Sequence, residues 1–212
     1  VVVIDRVSVD LDPLYLITDR NAPPSGDITG ALRGALEGGV RFLQFREKDL
    51  PRQERLDLGR EVMSLAGEFG ARVIVNGSPE LAGELGAAGG HLGKATKPVE
   101  AVRAGYRGLI GYSAHSGGEA AEAFAAGADF VTLSPVFPTR SKFSSGPILG
   151  LDGFRFDVQA CGGPVYALGG GGAENAAACI EAGAHGVAVI GAILGAADPA
   201  RAAEEVRRAL GA

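Results

Sequence analysis

Ala182-Gly-Ala-His185 runs straight into Gly186-Val-Ala-Val-Ile190, and the same kind of junction recurs at Glu37-Gly-Gly-Val40 and Ala126-Gly-Ala-Asp129. Each reads as a helix that stops on a glycine C-cap and hands the chain directly to a strand. Outward from these junctions, short β-branched or apolar runs alternate with longer stretches of helical period. Eight runs predict strands at Leu14 to Thr18, Val40 to Phe45, Arg72 to Asn76, Gly89 to Leu92, Leu109 to Ser113, Asp129 to Ser134, Pro164 to Leu168 and Gly186 to Ile190. Most are continuously apolar, as a strand buried on both faces of a parallel sheet must be. The stretches between them repeat apolar residues at three- and four-residue spacing, as in Leu56, Val62, Leu65, Ala66 and Phe69 after Pro51 at a helix start. Eight strand–helix units in 212 residues favour closure into one α/β domain, a (β/α)8 TIM barrel over residues 13–212, rather than an open doubly wound sheet. Residues 1–12 form an N-terminal extension that reads equally as an extra strand, a plug under the barrel or a disordered arm.

Composition narrows the function classes. The net charge of −5 is spread along the chain with no basic block, which argues against a nucleic-acid partner and for a small molecule. No apolar stretch reaches the roughly 18 residues of a membrane span, and the opening Val1-Val-Val-Ile4 lacks a cationic start, so neither membrane nor export is expected. Cys161 and Cys179 form no Cys-x-x-Cys pair and sit near no His at zinc-ligand spacing. They read as thiols of a reducing cytoplasm. A homodimer stays open.

In such a barrel the reactive groups stand at the C-terminal strand ends and in the loops that follow. After the second strand, Gln44-Phe-Arg-Glu-Lys48 alternates so that Gln44, Arg46 and Lys48 share one side, toward the mouth, where two cations and an amide suit an anion. The plainer reading is a solvated strand end. The seventh strand runs out into Gly169-Gly-Gly-Gly172, with a helix expected from about Ala173, and the eighth ends at Ile190-Gly191. Exposed backbone N–H groups there suit a phosphate, against the alternative of a flexible turn. The sixth strand leads into a long loop, Ser134 to Lys142, that reads as a lid or as a simply mobile segment. Of three histidines, His185 falls at the bottom of the barrel and His91 at its interior or rim. His115 follows the fifth strand at the mouth, where an imidazole either moves protons or caps structure.

Taken together these segments resemble the thiamine-phosphate synthase and thiazole tautomerase family. The resemblance runs from Leu14 to about Leu194 through Leu14-Tyr-Leu-Ile-Thr-Asp19, Gln44-Phe-Arg-Glu-Lys48, Val73-Ile-Val-Asn76, His91-Leu-Gly93, Ile110-Gly-Tyr-Ser-Ala-His-Ser116, Ser134-Pro-Val-Phe-Pro-Thr139 through Lys142, Ala167-Leu-Gly-Gly170 and Gly186-Val-Ala-Val189. It implies a thiazole phosphate held by Gly169, Ile190 and Gly191, with Gly170 and Gly171 beside them. It further implies substrate contacts from Asn76, Ser113, Thr139, Arg140 and Ser141, with Gln44, Arg46, Lys48 and Lys142 matching the diphosphate side of the synthase. The synthase pattern also carries an Asp after the third-strand Asn and another three residues after His-Leu-Gly, which hold Mg²⁺; here those positions are Gly77 and Thr96. A glycine and a hydroxyl cannot replace two carboxylates around a hard cation. That departure directs the expectation to the tautomerase branch: an isomerase that aromatises a carboxythiazole phosphate with no cofactor or metal, His115 moving the ring proton. Two alternatives stand beside it, a Mg²⁺-dependent thiamine-phosphate synthase and a catalytically silent phosphate-binding barrel.

Overall fold

The computed structural model describes residues 10–139 and 147–212. Eight parallel strands close into a barrel in sequence order: β1 (Leu14–Ile17), β2 (Phe42–Phe45), β3 (Arg72–Asn76), β4 (Gly89–Leu92), β5 (Leu109–Ala114), β6 (Phe130–Leu133), β7 (Val165–Leu168) and β8 (Gly186–Val189). The outer helices are α1 (Ile28–Glu37), α2 (Arg52–Glu68), α3 (Pro79–Leu85), α4 (Val99–Arg103), α5 (Gly117–Ala126), α6 (Gly150–Val158), α7 (Ala176–Glu181), the short α8 (Gly191–Leu194) and α9 (Pro199–Leu210). The single TIM barrel expected from the alternation is the observed fold, and each strand ends within about two residues of its expected bounds, the usual scatter of such boundaries.

Strand alternation sorts the apolar residues into two layers. Leu14, Leu16, Leu43, Val73, Ile110, Val131, Val165 and Val187 point outward into the layer shared with the helices. Tyr15, Phe42, Ile74, Phe130 and Tyr166 point inward and fill the barrel. Tyr15 stacks on Phe42 with ring centroids 4.4 Å apart, and Phe130 meets Tyr15 edge-on at 5.5 Å. The interior is therefore a packed floor on which ligands can rest, not a pore.

Residues 10–12 close the bottom. Leu11 is buried against the interior aromatics, and Tyr166 Oη donates to the Asp12 carbonyl at 2.7 Å. Asp12 also pairs with Arg207 of α9 at 2.9 Å. His185 lies at this end as expected, its Nε2 2.9 Å from the Leu11 carbonyl. Residues 1–9 of the expected extension lie outside the described residues.

One expected boundary moves for a clear reason. The helix after the glycine run begins at Ala176, not near Ala173, because Asn175 turns back on the loop. Its Oδ1 accepts from Gly172 N at 2.9 Å and its Nδ2 donates to the Gly170 carbonyl at 3.1 Å. No helix among the described residues is long and apolar enough to cross a membrane.

Candidate functional site

The C-terminal strand ends surround a cavity of about 810 Å³, within the range that takes small-molecule ligands. On the β2 side, alternation aims the residues as the sequence requires. Gln44 is buried and donates from Nε2 to Tyr15 Oη at 2.9 Å, and half-buried Arg46 follows it along the cavity wall. Burial lowers the Arg46 pKa from its ordinary value, with Asp19, Glu47 and Asp49 opposing the shift. An anionic ligand would oppose it further. Lys48, expected in the same row, is exposed and lies outside the cavity lining. Glu47, between them, turns away and is buried, accepting from Arg20 N at 3.1 Å and facing the Arg20 guanidinium at 3.4 Å. Burial raises its pKa against hydrogen bonds from Thr18 and Arg20.

The floor is polar where β3 to β6 end. Asn76 and His91 sit side by side in register, as do Ser113 and Thr132, and all four line the cavity. The opposite wall is backbone. Gly169 and Gly170 have φ of +100° and +67°, the left-handed region where only glycine is at ease. A Cβ on Gly170 would also lie 2.5 Å from the Pro138 carbonyl oxygen and 2.8 Å from Phe137 Cβ. The glycine run thus does two things: it bends β7 into the cavity wall and lets the loop after β6 lie against it. That loop is held by Phe137 N donating to the Gly169 carbonyl at 3.0 Å, which brings Thr139 to the cavity. Gly171, Ile190 and Gly191 complete the wall, and a Cβ on Gly191 would meet nothing within 4 Å.

His115 lines the mouth between these two sides, with Nδ1 2.9 Å from the Ser134 carbonyl. That carbonyl only accepts, so Nδ1 is the donor in this contact. Arg140, Ser141 and Lys142 lie outside the described residues. The remaining expected residues, Lys48 excepted, come together around one cavity. Sequence reasoning missed Asp19, Asn21 and Thr132, which also line it. Asp19 was legible as the polar end of the first matched segment; Thr132, inside an apolar strand, gave no signal.

The positions that carry metal-binding acids in the synthase pattern do not fit Mg²⁺. A Cβ on Gly77 would meet Thr96 Cγ2 at 3.8 Å, so the two positions face each other as the pattern requires. Neither offers a carboxylate, and Thr96 Oγ1 is turned back into its own loop, donating to the Gly93 carbonyl at 2.6 Å. The nearby Lys97 is paired with Glu80 at 2.7 Å. Asp19 is the one carboxylate among the described lining residues, and no group of three His, Cys, Asp or Glu converges among them.

Comparison with known proteins places this barrel. A family model described as thiamine monophosphate synthase matches residues 14–193. The chain is 42% identical over 193 residues to a thiamine-phosphate synthase of Desulfitobacterium hafniense, covering 90% of this chain and 93% of that protein. It is 40% identical over 196 residues to that of Moorella thermoacetica, covering 92% and 93%. Among solved structures, thiamine phosphate pyrophosphorylase from Pyrococcus furiosus superposes with a TM-score of 0.83 at 36% identity, covering 93% of this chain and 95% of that one.

These relatives overturn the expectation of a thiazole tautomerase, and with it that of an isomerase: the two sequence relatives are named synthases, which are transferases, and nothing in any of the three sets this chain in a tautomerase branch. The physical error lay in treating two missing acids as the loss of the whole diphosphate chemistry. Gln44 and Arg46, the amide and guanidinium expected on the diphosphate side, still line the cavity. With barrel, cavity residues and relatives in agreement over nine-tenths of its length, the chain belongs to the thiamine monophosphate synthase family.

Proposed function

We propose that this barrel is a transferase that joins a pyrimidine carried on a diphosphate to a thiazole phosphate, forming thiamine phosphate and releasing diphosphate. The observation that carries the reading is a single cavity with two dissimilar ends, a glycine backbone wall at Gly169 to Gly171 and Gly191, and a cationic wall at Arg46. The glycine wall suits the thiazole phosphate and the cationic wall the diphosphate, with Lys48 at the rim. The names of the relatives support the same reading.

In this reaction the thiazole nitrogen bonds to the exocyclic methylene carbon of the pyrimidine as that carbon's bond to the diphosphate oxygen breaks. The bonding electrons leave with the diphosphate, the ring nitrogen becomes quaternary, and the joining step moves no proton. Charge builds on the leaving oxygen, so a fixed cation aimed there lowers the barrier. Arg46 supplies that charge, while Gly77 and Thr96 offer no carboxylate through which Mg²⁺ could share it. The cavity holds the two rings together, which removes most of the entropic cost of a bimolecular step.

The test is to incubate the purified protein with both substrates and follow thiamine phosphate by its fluorescence after oxidation to a thiochrome. Product above the uncatalysed background is expected. The lost acid pair at Gly77 and Thr96 favours one second reading, a barrel that binds thiazole phosphate without transferring anything to it. Retained thiazole phosphate binding with no product would establish that reading instead.

A further inference from the structure

A carboxylate is buried just behind the cationic wall of the cavity. Glu47 is 2% exposed, no more than Phe45 two residues before it, and it does not line the cavity. A carboxylate so placed loses its hydration, and an apolar side chain of similar volume would often serve stability as well or better. Its place is therefore explained by what it holds. Its oxygens are shared between two donors at the end of β1. The Arg20 backbone N–H donates to them at 3.1 and 3.3 Å, with the Arg20 guanidinium at 3.4 Å. The Thr18 hydroxyl donates to the same carboxylate.

Through these contacts Glu47 reaches two parts of the cavity. Thr18 is buried, and its oxygen accepts from the Arg46 backbone N–H at 2.8 Å while its own hydrogen goes to Glu47. The backbone of Arg46 is thus held by a hydrogen-bonded link that ends on the next residue of the chain. Arg20 lies in the turn after β1, where Asn21 N donates to Asp19 Oδ1 at 3.0 Å and Ala22 N to the Asp19 carbonyl at 2.9 Å. Asp19, Asn21 and Ala22 line the same cavity as Arg46. Asp49 also takes the Arg20 guanidinium, meeting it with both oxygens at 2.7 Å. Asp49 is exposed, and such a pair adds little, so buried Glu47 is the fixed point of the cluster.

Charge alone does not explain this carboxylate. Glu47 is near enough to act on the charge of Arg46, so it repels any anion that Arg46 attracts. We propose that Glu47 is a positioning residue that ties the ends of β1 and β2 together behind the wall and so fixes the backbone from which Arg46 presents its guanidinium to an anion. Held in one direction, the guanidinium loses less freedom when the anion binds, and this gain exceeds the repulsion. That the anion is the diphosphate of a substrate rests on the transferase reading; the link from Glu47 to Arg46 does not.

Calorimetry with inorganic diphosphate tests this, because positioning and charge differ in sign. Glu47→Gln removes the repelling charge, but its amide has one acceptor oxygen for two donors, Thr18 and Arg20. Positioning predicts diphosphate bound roughly threefold to tenfold more weakly, the range of one hydrogen bond, whereas charge alone predicts tighter binding. Thr18→Val breaks the link at unchanged charge and should give a loss of similar size. Neither variant should change the affinity for thiazole phosphate, and in an Arg46→Gln background neither should weaken diphosphate further. If Glu47→Gln does not fold, Glu47→Asp, which keeps the charge and draws the carboxylate back from its donors, is read in its place. Unchanged or tighter diphosphate binding, a loss that persists without Arg46, or an equal loss of thiazole phosphate would overturn the positioning role. Transfer absent with this pattern intact would remove only the transferase reading.

Discussion

His115 Nδ1 lies 2.9 Å from the Ser134 carbonyl oxygen, a contact that ties the end of β5 to the end of β6 and fixes the ring where it lines the cavity. An imidazole pinned in this way is well placed to orient a ligand. In the proposed transfer, the joining of a thiazole nitrogen to a carbon centre gives it no proton to move. His115→Asn, whose amide N–H can still reach Ser134, should therefore lower the turnover of thiamine phosphate formation by less than the roughly 10²-fold at which general acid–base catalysis begins. A larger loss with substrate affinity intact would return a proton-transfer role to His115.

In the proposed transferase, the absence of carboxylates at Gly77 and Thr96 leaves diphosphate binding to side-chain charge. Calorimetric titration with inorganic diphosphate should give the same affinity in Mg²⁺ and in a chelator. Arg46→Gln should weaken it by about tenfold or more, since a charge-assisted contact contributes about 1.5 to 3 kcal/mol. Tighter binding that saturates with Mg²⁺ would mean that other groups hold a metal.

The glycine wall separates structural from ligand-facing roles. A Cβ on Gly191 enters open space, whereas Gly170 combines a φ of +67° with contacts to Pro138 and Phe137. Gly191→Val should leave stability within about 0.5 kcal/mol of wild type, as substitutions free of new contacts do, while reducing thiazole phosphate affinity by about tenfold. Gly170→Ala should instead destabilise the fold by roughly 1 to 3 kcal/mol, as overpacking does. Thermal unfolding and a binding titration on both variants decide the matter. Unchanged affinity in Gly191→Val would move the phosphate to another wall.

His91 links stability to pH. Its folded pKa of about 3 lies below the unfolded value near 6.5, so the unfolded chain takes up a proton that the folded chain refuses. This contribution is fully present above about pH 6.5 and is lost as pH falls toward about 3, at up to roughly 1.4 kcal/mol per pH unit. Denaturant unfolding between about pH 7 and 5 should show a shallower decline in His91→Asn than in wild type, by a difference that grows toward about one proton near pH 5. Parallel curves would show that His91 is protonated in the folded barrel.

Much of this protein is determined by local patterns in the chain. Junctions such as Ala182-Gly-Ala-His185 announce a helix-to-strand turn because glycine alone accepts the backbone there without strain, and Gly183 does have φ +101°. Continuous apolar runs announced strands buried on both faces, and the period of two along Gln44-Phe-Arg46 put an amide and a guanidinium on the mouth side. What remained hidden depends on neighbours far apart in sequence. The buried chain from Gln44 through Tyr15 and His91 to Ser113 draws on β2, β1, β4 and β5, and no spacing rule connects residues 76 positions apart. Lys48 obeyed the strand alternation yet missed the cavity, because the chain leaves the strand after Phe45 and the period of two ends with it. The expectation of an isomerase rested on two absent acids, Gly77 and Thr96, and the relatives named as synthases overturned it. The sequence by itself determined the barrel, the ring of strand ends and the chemical types gathered there, because those follow from backbone periodicity. Only the tertiary structure decided which of those side chains share one cavity and which turn inward to hold one another, because their hydrogen-bond partners are brought together only when the barrel closes.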